Sequence, residues 1–232
     1  MASNLDLEEQ EQLDQLKAFW KQYGNLITWV ITLALAGYAG WNGWNWWQRD
    51  QAVKAAAMFD ELDRAASTGD AVKAGHVFAD MKERFPRTTF TQQGALLAAK
   101  VQYEKGQVDA ARTTLDWVSA NAGEDEYRDL ADLRLAGLQL DAKQFDAALK
   151  TLDAIRGKDF ASLADDRRGD ILLAQGKREQ ARQQFQKAYD GMDPKLEYRR
   201  LIEAKLATLG VAADAGDKAG AAATPASAGA SK

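Results

Sequence analysis

The stretch Gly106-Gln107-Val108-Asp109-Ala110-Ala111-Arg112-Thr113-Thr114-Leu115-Asp116-Trp117-Val118 reads as a turn followed by an amphipathic helix, and its pattern occurs four times in the chain. Glycine at a turn permits the left-handed backbone that ends a preceding helix. Ala111 follows the turn, Leu115 stands four residues on and Val118 three beyond that, so all three share one helical stripe. The turns Gly69-Asp70, Lys143-Gln144 and Gly176-Lys177 open the same pattern, with Ala74, Ala148 and Ala181 in the small position and intervals of 37, 37 and 33 residues between successive units. Phe78, Leu152 and Phe185 take the place of Leu115, and Met81, Ile155 and Ala188 that of Val118.

Such spacing has a physical purpose. Two antiparallel helices close tightly only where a small side chain sits at the approach of their axes, and alanine supplies it. The helices that precede each turn carry matching stripes, Ala95, Ala98 and Ala99 with Gln102, and Leu135 and Ala136 with Gln139. Pro86 ends a second helix, because proline lacks the donor and clashes with the preceding turn. Leu196 to Leu209, with Leu201, Leu206 and Leu209 on one face, reads as a capping helix over the last exposed stripe. The sequence therefore predicts an all-α chain in which residues 49–209 form an α-solenoid of about four helix pairs plus that cap.

Outward from the repeats, residues 22–48 hold no charged side chain between Lys21 and Arg49. At about 1.5 Å per residue a helix of that length exceeds a hydrocarbon core of about 30 Å, so the segment reads as a single N-terminal transmembrane helix. Trp20 and Tyr23 mark one interface and Trp41, Trp44, Trp46 and Trp47 the other. A cleaved leader would have a basic front and a shorter apolar run, whereas residues 1–21 carry Asp6, Glu8, Glu9, Glu11 and Asp14 against Lys17 and Lys21. The expectation is an uncleaved anchor behind an acidic segment. Ala36 with Gly40, and Ala39 with Gly43, form small-xxx-small pairs with Gly37 alongside, a pattern that lets another membrane helix approach closely or is simply tolerated there. At the other end, residues 210–232 are mainly Ala, Gly, Ser and Asp with Pro225, too little apolar surface to offset ordering, so a disordered tail is expected.

Charge and composition exclude several functions. Between residues 49 and 209 stand 26 Lys plus Arg and 27 Asp plus Glu, so there is no basic field for nucleic acid. Cysteine is absent and His76 is the lone histidine, which removes thiolate chemistry and leaves no His-based constellation. No catalytic, cofactor-binding or metal-ligating residues are assigned, and an enzyme is not expected. What remains is recognition by a solenoid face lined by the first helix of each pair, here Phe59, Leu96, Lys100, Tyr103, Leu130, Leu133, Leu140, Leu163 and Leu173. Several of these also serve as core between neighbouring helices. Lys100 and Tyr103 stand out, since packing requires neither a charge nor a phenol there.

Helix-turn-helix units of this period resemble tetratricopeptide arrays over roughly residues 52–193, although Lys143 replaces one turn glycine and the early bulky aromatic is missing. Asp63, Gly137 and Asp170 stand where a terminal-carboxylate clamp would need amides, which argues against that ligand. With the lead Lys17-Ala18-Phe19-Trp20-Lys21-Gln22-Tyr23-Gly24, the close Gly40-Trp41-Asn42-Gly43-Trp44 and the later Arg168-Gly169-Asp170-Ile171-Leu172-Leu173-Ala174-Gln175-Gly176, the chain resembles the YfgM family. That resemblance implies a single-span protein of the bacterial inner membrane, its amino terminus cytoplasmic and its repeats periplasmic. It also implies association with the SecYEG translocon and with periplasmic chaperones such as the prolyl isomerase PpiD, with emerging secretory clients as further partners. Flanking charge does not choose the orientation, because Lys17 and Lys21 face Arg49, Lys54 and Arg64. A scaffold for another envelope complex, or a regulator working through residues 1–21, stays open as the alternative.

Overall fold

The computed structural model describes residues 7–210, with side-chain exposure from residue 11 onward. Among these residues the chain is all helix: α1 (Leu7–Ser67), α2 (Ala71–Arg84), α3 (Thr89–Glu104), α4 (Val108–Asn121), α5 (Asp125–Asp141), α6 (Phe145–Asp153), α7 (Lys158–Ala174), α8 (Arg178–Gly191) and α9 (Tyr198–Thr208). The tail expected to be disordered lies, apart from Gly210, outside the described residues, as do the first six residues of the acidic lead. The chain divides after Lys54 into two units, each described by itself.

In the unit from Ala55 onward, the turns at the start of each repeat are built alike. Gly69, Gly106, Lys143 and Gly176 have φ of +71°, +77°, +57° and +78°, all in the left-handed region. Behind each, the same pair of bonds closes the preceding helix: Gln107 N–H donates to Gln102 O at 2.8 Å, Asp70 to Ala65 at 2.8 Å, Gln144 to Gln139 at 2.8 Å and Lys177 to Leu172 at 2.9 Å. These are Schellman closures, and they satisfy carbonyls that a helix end would leave without donors. Asp70 then caps α2 by accepting from Lys73 N at 2.9 Å.

The alanines at the repeat positions are sealed. Ala74, Ala111, Ala148 and Ala181 have no exposed surface, and Phe78, Leu115, Leu152 and Phe185 beside them are buried. Residues 55–67 of α1 pack in one core with α2, α3, α4 and α5, through Leu62, Met81, Ala98, Leu115 and Leu135. Ala136, Ala148, Leu152 and Ile171 form a second core, and Phe185, Ala188, Ile202 and Leu206 a third under α9. Burying such side chains contributes about 1.5–3 kcal/mol each before conformational entropy is set against it. Close approach is a matter of glycine as well as alanine. A Cβ placed on Gly169 of α7 would stand 2.5 Å from Phe185 Cε1 of α8, so that pair closes only because position 169 has no side chain.

A polar element recurs inside the pairs. Thr114 Oγ1 donates to Gln102 Oε1 at 2.9 Å, and one repeat later Thr151 Oγ1 donates to Gln139 Oε1 at 2.9 Å. Both glutamines sit four residues before the left-handed turn, and each places an amide where the paired second helix has its threonine.

Two expectations need correction. The capping helix uses Ile202 and Leu206, both buried, with Leu209 packed at their side, while Leu201 is 48% exposed and Leu196 53%. Leu201 is one residue away from Ile202, which rotates it by about 100° off the stripe. The second concerns residues 22–48, which lie within α1. Among the described residues, no helix is long and apolar enough to cross a membrane. Asn25, Thr28, Thr32, Asn42, Asn45 and Gln48 interrupt the run, and Trp and Tyr add little to a mean hydropathy. In this unit the side chains stand open: Leu26, Trp29, Val30, Leu33, Leu35, Tyr38, Trp41 and Trp46 are each 59–70% exposed.

Candidate functional site

The first helices of successive repeats lie side by side, α3 against α5 and α5 against α7. Between them runs a groove of about 430 Å³ whose lining includes Lys100, Tyr103, Arg134, Gly137, Asp141 and Arg167. Helical spacing creates it: Lys100 and Tyr103 are three apart on α3, and Arg134, Gly137 and Asp141 follow at three and four on α5. Gly137 keeps the floor low, since a Cβ there would meet only Arg167 Cζ, at 3.9 Å.

The polar groups of the groove are partly committed. Tyr103 donates its hydroxyl to Asp141 Oδ2 at 2.9 Å, and that bond, with the carboxylate's charge behind it, raises the phenol's pKa. Arg134 reaches from α5 to α3, its Nη1 donating to Leu96 O at 3.0 Å. Its tip stays open to the groove while the protein around it desolvates the guanidinium, which lowers its pKa. Arg167 lies with Nη1 3.7 Å from Asp170 Oδ2, and its buried Nε has no partner.

Asp170 itself is engaged elsewhere. Lys205 of the capping helix bridges it to Asp166 with Nζ contacts of 2.8–3.0 Å, and Tyr198 donates to Asp166 at 2.8 Å. Burial raises the Asp170 carboxyl above its ordinary value, opposed by Lys205. This cluster fastens α9 onto α7. It is the polar complement of Ile202 and Leu206.

Of the nine residues expected on the recognition face, Lys100 and Tyr103 line this groove. Leu96 is 6% exposed and belongs to the core. Phe59 and Leu130 are partly buried against the first core, Leu133 and Leu140 against the second, and Leu163 and Leu173 against the third. Arg134, Arg167 and Asp141 were missed by reasoning from the sequence. The signal was present in the first-helix register, since Gly137 was already placed on this face and Arg134 precedes it by three residues. In the other unit, Ala36 and Ala39 are exposed, and a Cβ added to Gly37, Gly40 or Gly43 would meet no atom within 4 Å. His76 is exposed on α2. Among the described residues no group of three or more His, Cys, Asp or Glu is placed to hold a metal ion.

Residues 17–211 match the tetratricopeptide repeat-like domain family. A protein of Neisseria gonorrhoeae named ancillary SecYEG translocon subunit is 30% identical over 204 residues, covering 88% of this chain and 98% of that protein. The chain belongs to the family of ancillary SecYEG translocon subunits. A protein of the same name from Escherichia coli K12 is 30% identical over 176 residues, covering 75% of this chain and 84% of its own length. The fold has a wider likeness as well: MamA 41-end from Desulfovibrio magneticus RS-1 superposes with a TM-score of 0.50 at 18% identity, over 68% of this chain and 89% of that one. Membership in this family bears out the resemblance read from Lys17–Gly24 and Gly40–Trp44, and the repeat-like match bears out the helix-pair reading.

Proposed function

We propose that this chain is a non-catalytic helper of the Sec translocon that works by holding other proteins. Residues 22–48 of α1 seat it in the inner membrane against partner helices, its amino terminus is cytoplasmic, and its repeats lie in the periplasm. There the α3/α5/α7 face receives a chaperone, such as a membrane-bound prolyl isomerase of the PpiD kind, or an emerging secretory chain. The observation that carries the reading is identity extending over 98% of a relative named as a translocon subunit.

The membrane seat is supported by the open apolar surface of α1 and by its polar residues having local partners. Thr28 Oγ1 donates to Gly24 O at 2.8 Å and Thr32 Oγ1 to Thr28 O at 2.7 Å, which hides two hydroxyls from hydrocarbon. Asn42 and Asn45 fall among the tryptophans, where water reaches them. Polar content that keeps a helix below the apolarity of an isolated span is accommodated where neighbouring helices cover it, and Gly37, Gly40 and Gly43 leave the room for one.

Crosslinking in native membranes followed by purification in mild detergent tests the association. Recovery of translocon subunits is expected, and their absence refutes it. A periplasm-dependent reporter fused after Leu209 tests the orientation, and a silent reporter would contradict it.

A further inference from the structure

The groove of α3, α5 and α7 holds more positive charge than its own carboxylates neutralise. Lys100, Arg134 and Arg167 line it with a single acid, Asp141. Arg134 makes its bond to a backbone carbonyl and has no carboxylate in ion-pair range among the described residues. Arg167 is at 3.7 Å from Asp170, beyond a hydrogen bond, because Lys205 holds both oxygens of that carboxylate. Its Nε is buried without an acceptor. Lys100 has only a 3.9 Å contact with Glu104, both of them exposed. A guanidinium with unused donors in a partly desolvated place is a demand for an acceptor, and planar carboxylates meet it with two bonds at once.

We propose that this groove binds an extended acidic peptide segment, with Asp or Glu side chains of the partner taken by Arg134 and Arg167, Lys100 at the rim, and the ring of Tyr103 beside an apolar neighbour. The inference rests on reading this face as protein-binding, and it narrows the partner to acidic segments. Charge complementarity argues for it, and the low floor at Gly137 lets a peptide backbone approach. Side-chain carboxylates are favoured over a chain terminus, because the amides of a terminal clamp are absent at Asp63, Gly137 and Asp170.

The test uses the full chain in mild detergent and fluorescent decapeptides, acetylated and amidated at their ends, alternating Leu with Glu or Leu with Gln. The Glu peptide is expected to bind at least about tenfold more tightly, since a charge-assisted bond contributes about 1.5–3 kcal/mol, and the advantage should shrink with added salt. Arg134→Gln with Arg167→Gln should remove that advantage. Asp141→Asn, at an exposed position, should strengthen Glu-peptide binding several-fold, roughly the effect of removing one nearby like charge, and it gives an answer even if the double variant fails to fold. Equal binding of the two peptides, or a preference that survives the arginine changes or is weakened by Asp141→Asn, overturns the inference while leaving the face as a binding surface. A Gln peptide with a free carboxyl terminus binding as well as the Glu peptide also overturns it. Binding of neither peptide counts against both this inference and the reading of the face beneath it.

Discussion

Replacing Gly169 with alanine sets two effects of known sign against each other. In a helix interior alanine is about 1 kcal/mol better than glycine, so an unhindered site would gain stability. Here the new methyl would lie 2.5, 2.6 and 2.8 Å from Cε1, Cδ1 and Cζ of Phe185, closer than real Cβ atoms come to ring carbons. The ring has no slack, because Phe185 is fully buried among Ala181, Ala188, Ile202 and Leu206. Overpacking of this sort costs about 1–3 kcal/mol or more, so Gly169→Ala is expected to destabilise the α7/α8 pair by about 1–2 kcal/mol net. Shrinking the ring tests the reasoning. Phe185→Ala alone should cost about 3–5 kcal/mol, yet in that background Gly169→Ala should become neutral or stabilising by up to about 1 kcal/mol. Urea unfolding of the four proteins, followed by helical circular dichroism, gives the cycle, with coupling expected near 2–3 kcal/mol. If Gly169→Ala destabilises equally in both backgrounds, the pair is not closed by the missing side chain.

Further outcomes follow from the same geometry. Lys143 holds φ of +57°, where a side chain costs about 1–2 kcal/mol, so Lys143→Gly should raise stability by about 0.5–1 kcal/mol after the added freedom of the unfolded chain; thermal unfolding measures it. Thr114→Val leaves the buried Gln102 Oε1 without its donor and should cost about 1–3 kcal/mol, whereas Thr114→Ser should cost less than half of that by the same assay. Asp132 is buried, and desolvation raises its carboxyl above 3.8, opposed by Ser119 and Arg128. A raised native pKa means that the folded state binds the proton more tightly, so stability is lost as pH climbs from the unfolded value through the native one. Asp132→Asn lacks that dependence, and its stability relative to the parent should therefore improve between pH 4 and 7, as urea midpoints at the two pH values would show.

The repeat fold was legible because its signal is redundant. Four turns, four alanines and four large apolar residues agree, so Lys143 in the place of glycine did not obscure the third unit, and the structure shows why: its backbone takes the glycine conformation anyway. The cap was misread by one residue at Leu201 because its sequence offers both Leu201 and Ile202 to the stripe, and only packing against Phe185 chooses. The groove was half legible. A charge and a phenol on α3 stand out in an apolar register, but the burial of Arg167 Nε depends on Lys205 drawing Asp170 away, a contact across 35 residues that no local pattern announces. Residues 22–48 show the limit of counting charges. An uncharged run reads as a span until its asparagines, threonines and tryptophans are weighed.

The central claim is that the α3/α5/α7 face holds translocon-associated proteins. A photocrosslinking residue placed at Tyr103 in native membranes, with the exposed outer position Asp116 on α4 as its comparison, tests this most directly. Adducts with a translocon subunit, its chaperone or a nascent secretory chain from Tyr103 and not from Asp116 are what the account requires. The same adducts from Asp116 alone would contradict it.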